Sequence, residues 1–216
     1  MKLRRAPRSA RFTRRYGRIV ARLRVIDPTG LYHVFSRGNY RDTIFFDDDH
    51  FEKYLSLLAR VSERRRWAVL DWCLMPNHFH LLIQLQEGGL SEGMRELNGC
   101  FSRWSNRQTA RTGTGHLVKN RFGSVDVLRE GHLWNVITYI PLNPVRAGLT
   151  SRPEDWAWSG YRATIGLEHP RVFHEPARLL RFFTGNRAEA LRRYGAIVAE
   201  ALVRGSQSKW SDHEAA

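Results

Sequence analysis

The sequence predicts an α+β fold: a four-stranded antiparallel sheet with helices on one face. Three observations predict it. Short alternating or apolar runs mark four strands, apolar residues at helical spacing mark the helices between them, and the elements follow a β-α-β-β-α-β order. A 216-residue chain with 42% hydrophobic residues carries enough apolar surface for a packed core.

Leu31–Arg37 (LYHVFSR) alternates as a strand and is punctuated by Gly38-Asn39. Residues 47–64 read as a helix. Asp47, Asp48 and Asp49 supply the cap and the dipole charge, and Phe51, Tyr54, Leu55, Leu58 and Val61 recur at helical spacing. Residues 67–74 form the second strand and His78–Leu85 the third, joined through Met75-Pro76-Asn77. After Gly88-Gly89, Ser91 caps a helix reaching to about residue 111, with Met94, Leu97, Phe101 and Trp104 on one side. Residues 124–129 read as the fourth strand, and a further helix begins near Gly131. The first six elements are in the ferredoxin-like order. Residues 173–184 and 187–202 then predict two helices divided by Gly185-Asn186. The chain divides into a basic arm (1–30), a core domain (31–166) and a helical extension (167–216).

Charge narrows the function. Lys and Arg number 35 against 21 acids, a net of +14. Residues 1–24 hold Lys2, nine arginines and no acid, so +10 lies in the arm and +4 in the remainder. Such a field attracts polyanions, nucleic acid first. The arm reads as a strand-following tail for phosphates, a transit peptide or a solvated tail. No apolar run approaches the ~18 residues that span a bilayer. Cys73 and Cys100 form no CxxC pair and read as reduced, buried thiols.

His78 and His80 lie two residues apart on a strand, so both imidazoles share one face while Phe79 points away. The pair can converge on a metal ion, though an HxH is also compatible with hydrogen-bonded core histidines. Pro76 and Asn77 before it add no physical support. Tyr139 and Asn143, four apart, share a helix face, or else Tyr139 is core and Asn143-Pro144 a helix stop. Pro141 between them removes a helix hydrogen bond and predicts a kink.

Four blocks together resemble the REP-associated tyrosine transposases of the single-tyrosine HUH superfamily. They are Tyr32-His-Val-Phe-Ser-Arg-Gly-Asn39, Leu74-Met-Pro-Asn-His-Phe-His-Leu-Leu-Ile83, Gly115-His-Leu-Val-Lys-Asn-Arg-Phe122, and Tyr139-Ile-Pro-Leu-Asn-Pro-Val-Arg-Ala-Gly-Leu149. The resemblance covers roughly residues 31–166. It implies a ferredoxin-like catalytic fold, His78 and His80 as metal ligands with Asn143 as the third, and Tyr139 as nucleophile. It further implies a Mg2+ ion that Mn2+ can replace, and a single-stranded hairpin DNA substrate nicked and joined through a 5′-phosphotyrosine. Arg37, Asn39, Lys119, Arg121 and Arg146 are the candidate DNA contacts; solvated surface charge is their plainer reading. The third block departs from the family's usual residues at Val118-Lys-Asn120. The resulting expectation is an enzyme of the bacterial cytoplasm and nucleoid, a monomer with a dimer as the alternative. The competing expectation is a transposase that has lost catalysis and binds DNA at repeats.

Overall fold

The computed structural model describes residues 26–109, 117–118, 122–127, 132–183 and 186–204. The basic arm up to residue 25 lies outside them, as do Lys119 and Arg121.

The main elements are β1 (Leu31–Arg37), α1 (Asp48–Arg65), β2 (Trp67–Met75), β3 (His78–Leu85), α2 (Leu90–Gln108), β4 (Gly123–Asp126) and α3 (His132–Arg146). Short helices α4 (Tyr161–Thr164) and α5 (Pro176–Leu180) precede α6 (Arg187–Val203). The strands run in the order β2-β3-β1-β4, every neighbouring pair antiparallel. This is the predicted α+β, ferredoxin-like sheet.

Both sheet faces are covered over β1, β2 and β3, so these strands are buried on both sides rather than half-solvated, while β4 at the edge is partly exposed. Val34, Val69, Leu74, Phe79, Leu81 and Ile83 pack against Tyr54, Leu58, Leu97 and Phe101 of α1 and α2. The opposite face carries Leu31, Leu70, Cys73 and Leu82 against Ile137 and Ile140 of α3. Leu179, Tyr194 and Val198 of the extension complete the same core, so the C-terminal segment packs with the sheet.

Two local rules work as read. Asp47 caps α1, its Oδ1 accepting from the His50 amide at 3.0 Å. The β2–β3 connection is the tight Pro76-Asn77 turn. Three expectations are corrected. Gly89 (φ 76°), not Ser91, caps α2, because the glycine pair takes the left-handed turn that starts the helix there. The fourth strand begins at Gly123 and ends at Asp126. Residues 173–184 do not form one helix. Instead the Glu175 amide donates to the Val69 carbonyl at 2.8 Å and His174 Nε2 meets the Leu70 carbonyl at 3.2 Å, holding this stretch on β2 until Pro176 opens α5.

That contact belongs to a longer strap along β2. The Leu74 amide donates to Trp158 O at 2.9 Å, Gly160 N to Trp72 O at 2.8 Å, and Trp156 Nε1 to Leu74 O at 2.9 Å. The strap satisfies backbone groups that a bare edge strand would expose.

Candidate active site

The site lies between β1, β3 and α3. The register puts Phe35 opposite His80 and Arg37 opposite His78. His33, Phe35, Arg37, His78 and His80 therefore share the sheet face that meets α3. The two histidine rings are 5.1 Å apart and nearly perpendicular.

The helix brings Tyr139 to this pair. Val136, Ile137 and Ile140 are buried, which turns the half-buried Tyr139 toward the strands. Its ring stands edge-on to His80 at 5.1 Å between centroids and lies 6.0 Å from His33. Arg146, seven residues on, sets its guanidinium carbon 5.2 Å from the Tyr139 ring centroid. Burial pulls Arg146 below the ordinary guanidinium value, and the neighbouring Tyr139 opposes that shift.

The prolines do not end the helix: α3 is continuous from His132 to Arg146 with both Pro141 and Pro144 inside it. Pro144 leaves the Ile140 carbonyl without its usual amide partner. Asn143 Nδ2 turns back onto that carbonyl at 3.4 Å and onto Tyr139 O at 2.8 Å. The helix then closes at Gly148 (φ 70°), whose amide donates to Val145 O at 3.0 Å while Leu149 N reaches Pro144 O at 2.9 Å. Asn143 is thus buried on the Tyr139 helix with its amide nitrogen committed to backbone. Its Oδ1 is the atom left for ligation.

One residue of the site escaped the motif reading. His33 is buried on β1, with Nε2 3.0 Å from His80 Nδ1. Burial lowers its pKa to about 3, with His132 adding to the shift. Burial likewise holds His80 well below the ordinary imidazole value, helped by His33 and His78. Both rings are neutral at pH 7, the form that binds metals. The signal was present in the alternation of LYHVFSR, which points His33, Phe35 and Arg37 to one face, but nothing local marks which face carries the site.

Could these residues hold the implied cation? His80 Nε2 is buried with no hydrogen-bond partner among the described residues. A lone pair there suits a cation. Among the described residues no group of three or more His, Cys, Asp or Glu could by itself hold a metal ion. The donors present, two imidazoles and an amide oxygen, are of the types that divalent cations take at an open site.

Of the candidate DNA contacts, Arg37 sits in register with His78. Asn39 follows in a short 3-10 turn whose backbone amide reaches Leu117 O at 3.4 Å. Arg146 lies against Tyr139.

A family model described as "Transposase IS200 like" matches residues 29–142, more than half of the chain, including both histidines and Tyr139. The chain belongs to the IS200-like transposase family. Among its relatives, a protein named as a REP-associated tyrosine transposase in Haemophilus influenzae is 26% identical over 153 residues, 62% of this chain and 86% of that protein. A REP-associated tyrosine transposase of Escherichia coli is 24% identical over 110 residues, 50% of this chain and 62% of that one. The solved structure of a REP-associated tyrosine transposase bound to a REP hairpin superposes with a TM-score of 0.56. It is 19% identical and the match covers 76% of this chain and 91% of that one, so the two share a fold. The resemblance read from the four sequence blocks is therefore shown at the level of the family.

Proposed function

We propose that this IS200-like transposase nicks and rejoins single-stranded DNA next to a hairpin, through a covalent 5′-phosphotyrosine on Tyr139. The observation that carries the reading is the Tyr139 ring standing edge-on at 5.1 Å to His80, across the helix–sheet boundary. A tyrosine beside two strand histidines suits phosphoryl transfer to a protein nucleophile.

Tyr139 loses its phenolic proton to solvent and its oxygen attacks the scissile phosphorus. The Tyr139 O–P bond forms as the P–O3′ bond breaks, and the departing 3′-oxygen takes a proton. One phosphodiester is exchanged for another, so rejoining by a 3′-OH needs no nucleotide cofactor. Arg146 holds the Tyr139 ring and favours its anionic form. His78, His80 and the Asn143 Oδ1 would hold Mg2+, with Mn2+ as substitute. When bound, the cation draws charge from the phosphate oxygen as a Lewis acid. Arg37, Asn39, Lys119 and Arg121 are the proposed contacts to phosphates around the cut.

The REP hairpin bound in the related structure supports a hairpin as substrate. The strap over β2 supports a monomer, since it occupies a sheet edge through which a second copy would otherwise extend the ladder. No helix among the described residues is long and apolar enough to cross a membrane.

The test is incubation of the full chain with end-labelled single-stranded hairpin DNA and Mg2+, followed by a denaturing gel. The expected product is a protein–DNA adduct that Tyr139→Phe abolishes. Hairpin binding without any adduct would favour a catalytically idle DNA-binding protein, and cutting without attached protein a hydrolase.

A further inference from the structure

Each of the two histidines has its Nδ1 occupied by a different neighbour, and neither neighbour is a proposed ligand. His78 Nδ1 lies 2.7 Å from Asn77 Oδ1. His80 Nδ1 lies 3.0 Å from His33 Nε2. We infer that Asn77 and His33 are positioning residues that set the imidazole tautomers, placing the ring proton of both His78 and His80 on Nδ1 so that Nε2 is the ligating atom. The inference rests on the metal reading above and names what prepares that site.

Asn77 argues most directly. Its amide has a donor end and an acceptor end. The donor end is spoken for: Nδ2 reaches the Arg41 carbonyl at 3.3 Å, and a carbonyl can only accept. The oxygen end therefore faces His78, and an acceptor at 2.7 Å requires N–H on Nδ1. A neutral imidazole carries one proton, so Nε2 has the lone pair.

The clamp is built into the fold. The Pro76 carbonyl accepts from Ile44 N at 2.8 Å and Phe45 N at 3.0 Å, and the Asn77 carbonyl from Gly38 N at 2.8 Å. These bonds press the loop after β1 onto the β2–β3 turn. Arg41 takes a left-handed conformation there (φ 66°), within reach of the Asn77 amide. Pro76 and Asn77, mute in the sequence reading, thus acquire a physical role.

For His80 two arrangements are possible, because either ring can donate across the 3.0 Å contact. If His33 donates, the His80 proton moves to Nε2, a buried position with no hydrogen-bond partner among the described residues. A proton there would occupy the lone pair that a cation needs. If His80 donates from Nδ1, Nε2 keeps a lone pair for a cation and His33 carries its own proton on the likewise buried Nδ1, so burial treats the two arrangements alike and the cation's need for a lone pair favours this one. Ligating histidines commonly donate their second ring nitrogen to such an outer partner.

The test reads the tautomers themselves. A long-range 1H–15N spectrum of the metal-free, full-length protein with 15N-labelled histidine, at pH 8, should show His78 and His80 as Nδ1–H. His33→Leu and Asn77→Leu should each weaken Mn2+ binding, followed by titration, by about 10- to 100-fold. His33→Gln and Asn77→Asp, which keep an acceptor in place, should recover most of the loss. A role in folding alone would not separate Gln from Leu at position 33. An Nε2–H tautomer at either histidine, or unchanged Mn2+ affinity in both Leu variants, would overturn the inference. The wild-type spectrum decides even if a variant fails to fold. Nδ1–H tautomers in a protein that binds no Mn2+ would sink the metal reading while leaving the tautomer assignment intact.

Discussion

Tyr139→Phe removes one oxygen and leaves a ring that can still pack against His80 and His33. The expected outcome is loss of the covalent adduct by about 10⁴-fold or more, with hairpin binding nearly unchanged in a gel-shift assay. Retained adduct would move the nucleophile elsewhere. Arg146 makes a finer test. A guanidinium over the Tyr139 ring contributes roughly 0.5–2 kcal/mol, so Arg146→Ala should slow single-turnover cleavage about 2- to 30-fold with DNA saturating. If Arg146 only gripped phosphate, the variant would raise KM and leave kcat alone. His78, His80, Tyr139 and Asn143 were legible from spacing and resemblance. The orientation of their rings was not, because His33 and Asn77 reach them from a different strand and from a turn that is bland in isolation.

At the level of elements, the loop between β1 and α1 holds the site as firmly as the strands do. A Cβ on Gly38 would fall 2.1 Å from the Asp42 carbonyl oxygen, a backbone atom with no rotamer to yield. Gly38→Ala should therefore cost about 1–3 kcal/mol in denaturant unfolding. It should also loosen Asn77, because the Gly38 amide is what the Asn77 carbonyl accepts. Wild-type stability in this variant would show that the loop can shift freely. Helix α3 teaches a related lesson. Pro141 predicts a kink and Asn143-Pro144 reads alternatively as a helix stop, yet Asn143 donates back to the freed Ile140 carbonyl and the helix continues. Local rules anticipated the proline and missed the compensation, since that side chain does its work only once the helix exists. The apolar stretch at 173–184 misled for the opposite reason: Phe173 and His174 are buried against β2 and not along a helix face.

Across the whole molecule, burial sets a pH dependence. A bulge between Val69 and Asp71 puts Leu70 and Asp71 on the same face of β2, with the carboxyl fully buried near Tyr194. Burial raises the Asp71 pKa to about 8, against opposing contacts from Trp72 N and Tyr194. Between its unfolded value near 4 and pH 8 the native state holds a proton that the unfolded chain lacks, so stability falls as pH rises. His174, lowered to about 4 by burial despite its contact with Leu70 O, acts in the other direction. Between that value and the ordinary imidazole value near 6.5 the unfolded chain binds the extra proton, and stability falls as pH drops. The melting temperature should thus decline from about pH 6.5 to 8, by up to about 1.4 kcal/mol of stability per pH unit, and Asp71→Asn should flatten that limb. A flat wild-type profile there would show the carboxyl ionised in the fold. The arm makes a separate prediction. Deleting residues 1–24, which carry +10, should weaken hairpin binding and flatten its dependence on salt. An unchanged slope would show the arm makes no phosphate contacts.

By itself the sequence determined most of the strand and helix order, the antiparallel ferredoxin-like sheet and the family, and it singled out the histidine pair and the tyrosine as candidates. The element order follows from periodicity, a local quantity, whereas the family and the candidate histidines and tyrosine rest on the resemblance of the four sequence blocks. Only the tertiary structure decided which sheet face carries the site, that His33 and Asn77 touch the two histidines, that α3 survives its prolines and that residues 156–175 strap the β2 edge. Each of these depends on contacts between segments far apart in the chain, such as the 47 residues separating His33 from His80. Spacing along a strand cannot encode a distance across a sheet until the register exists.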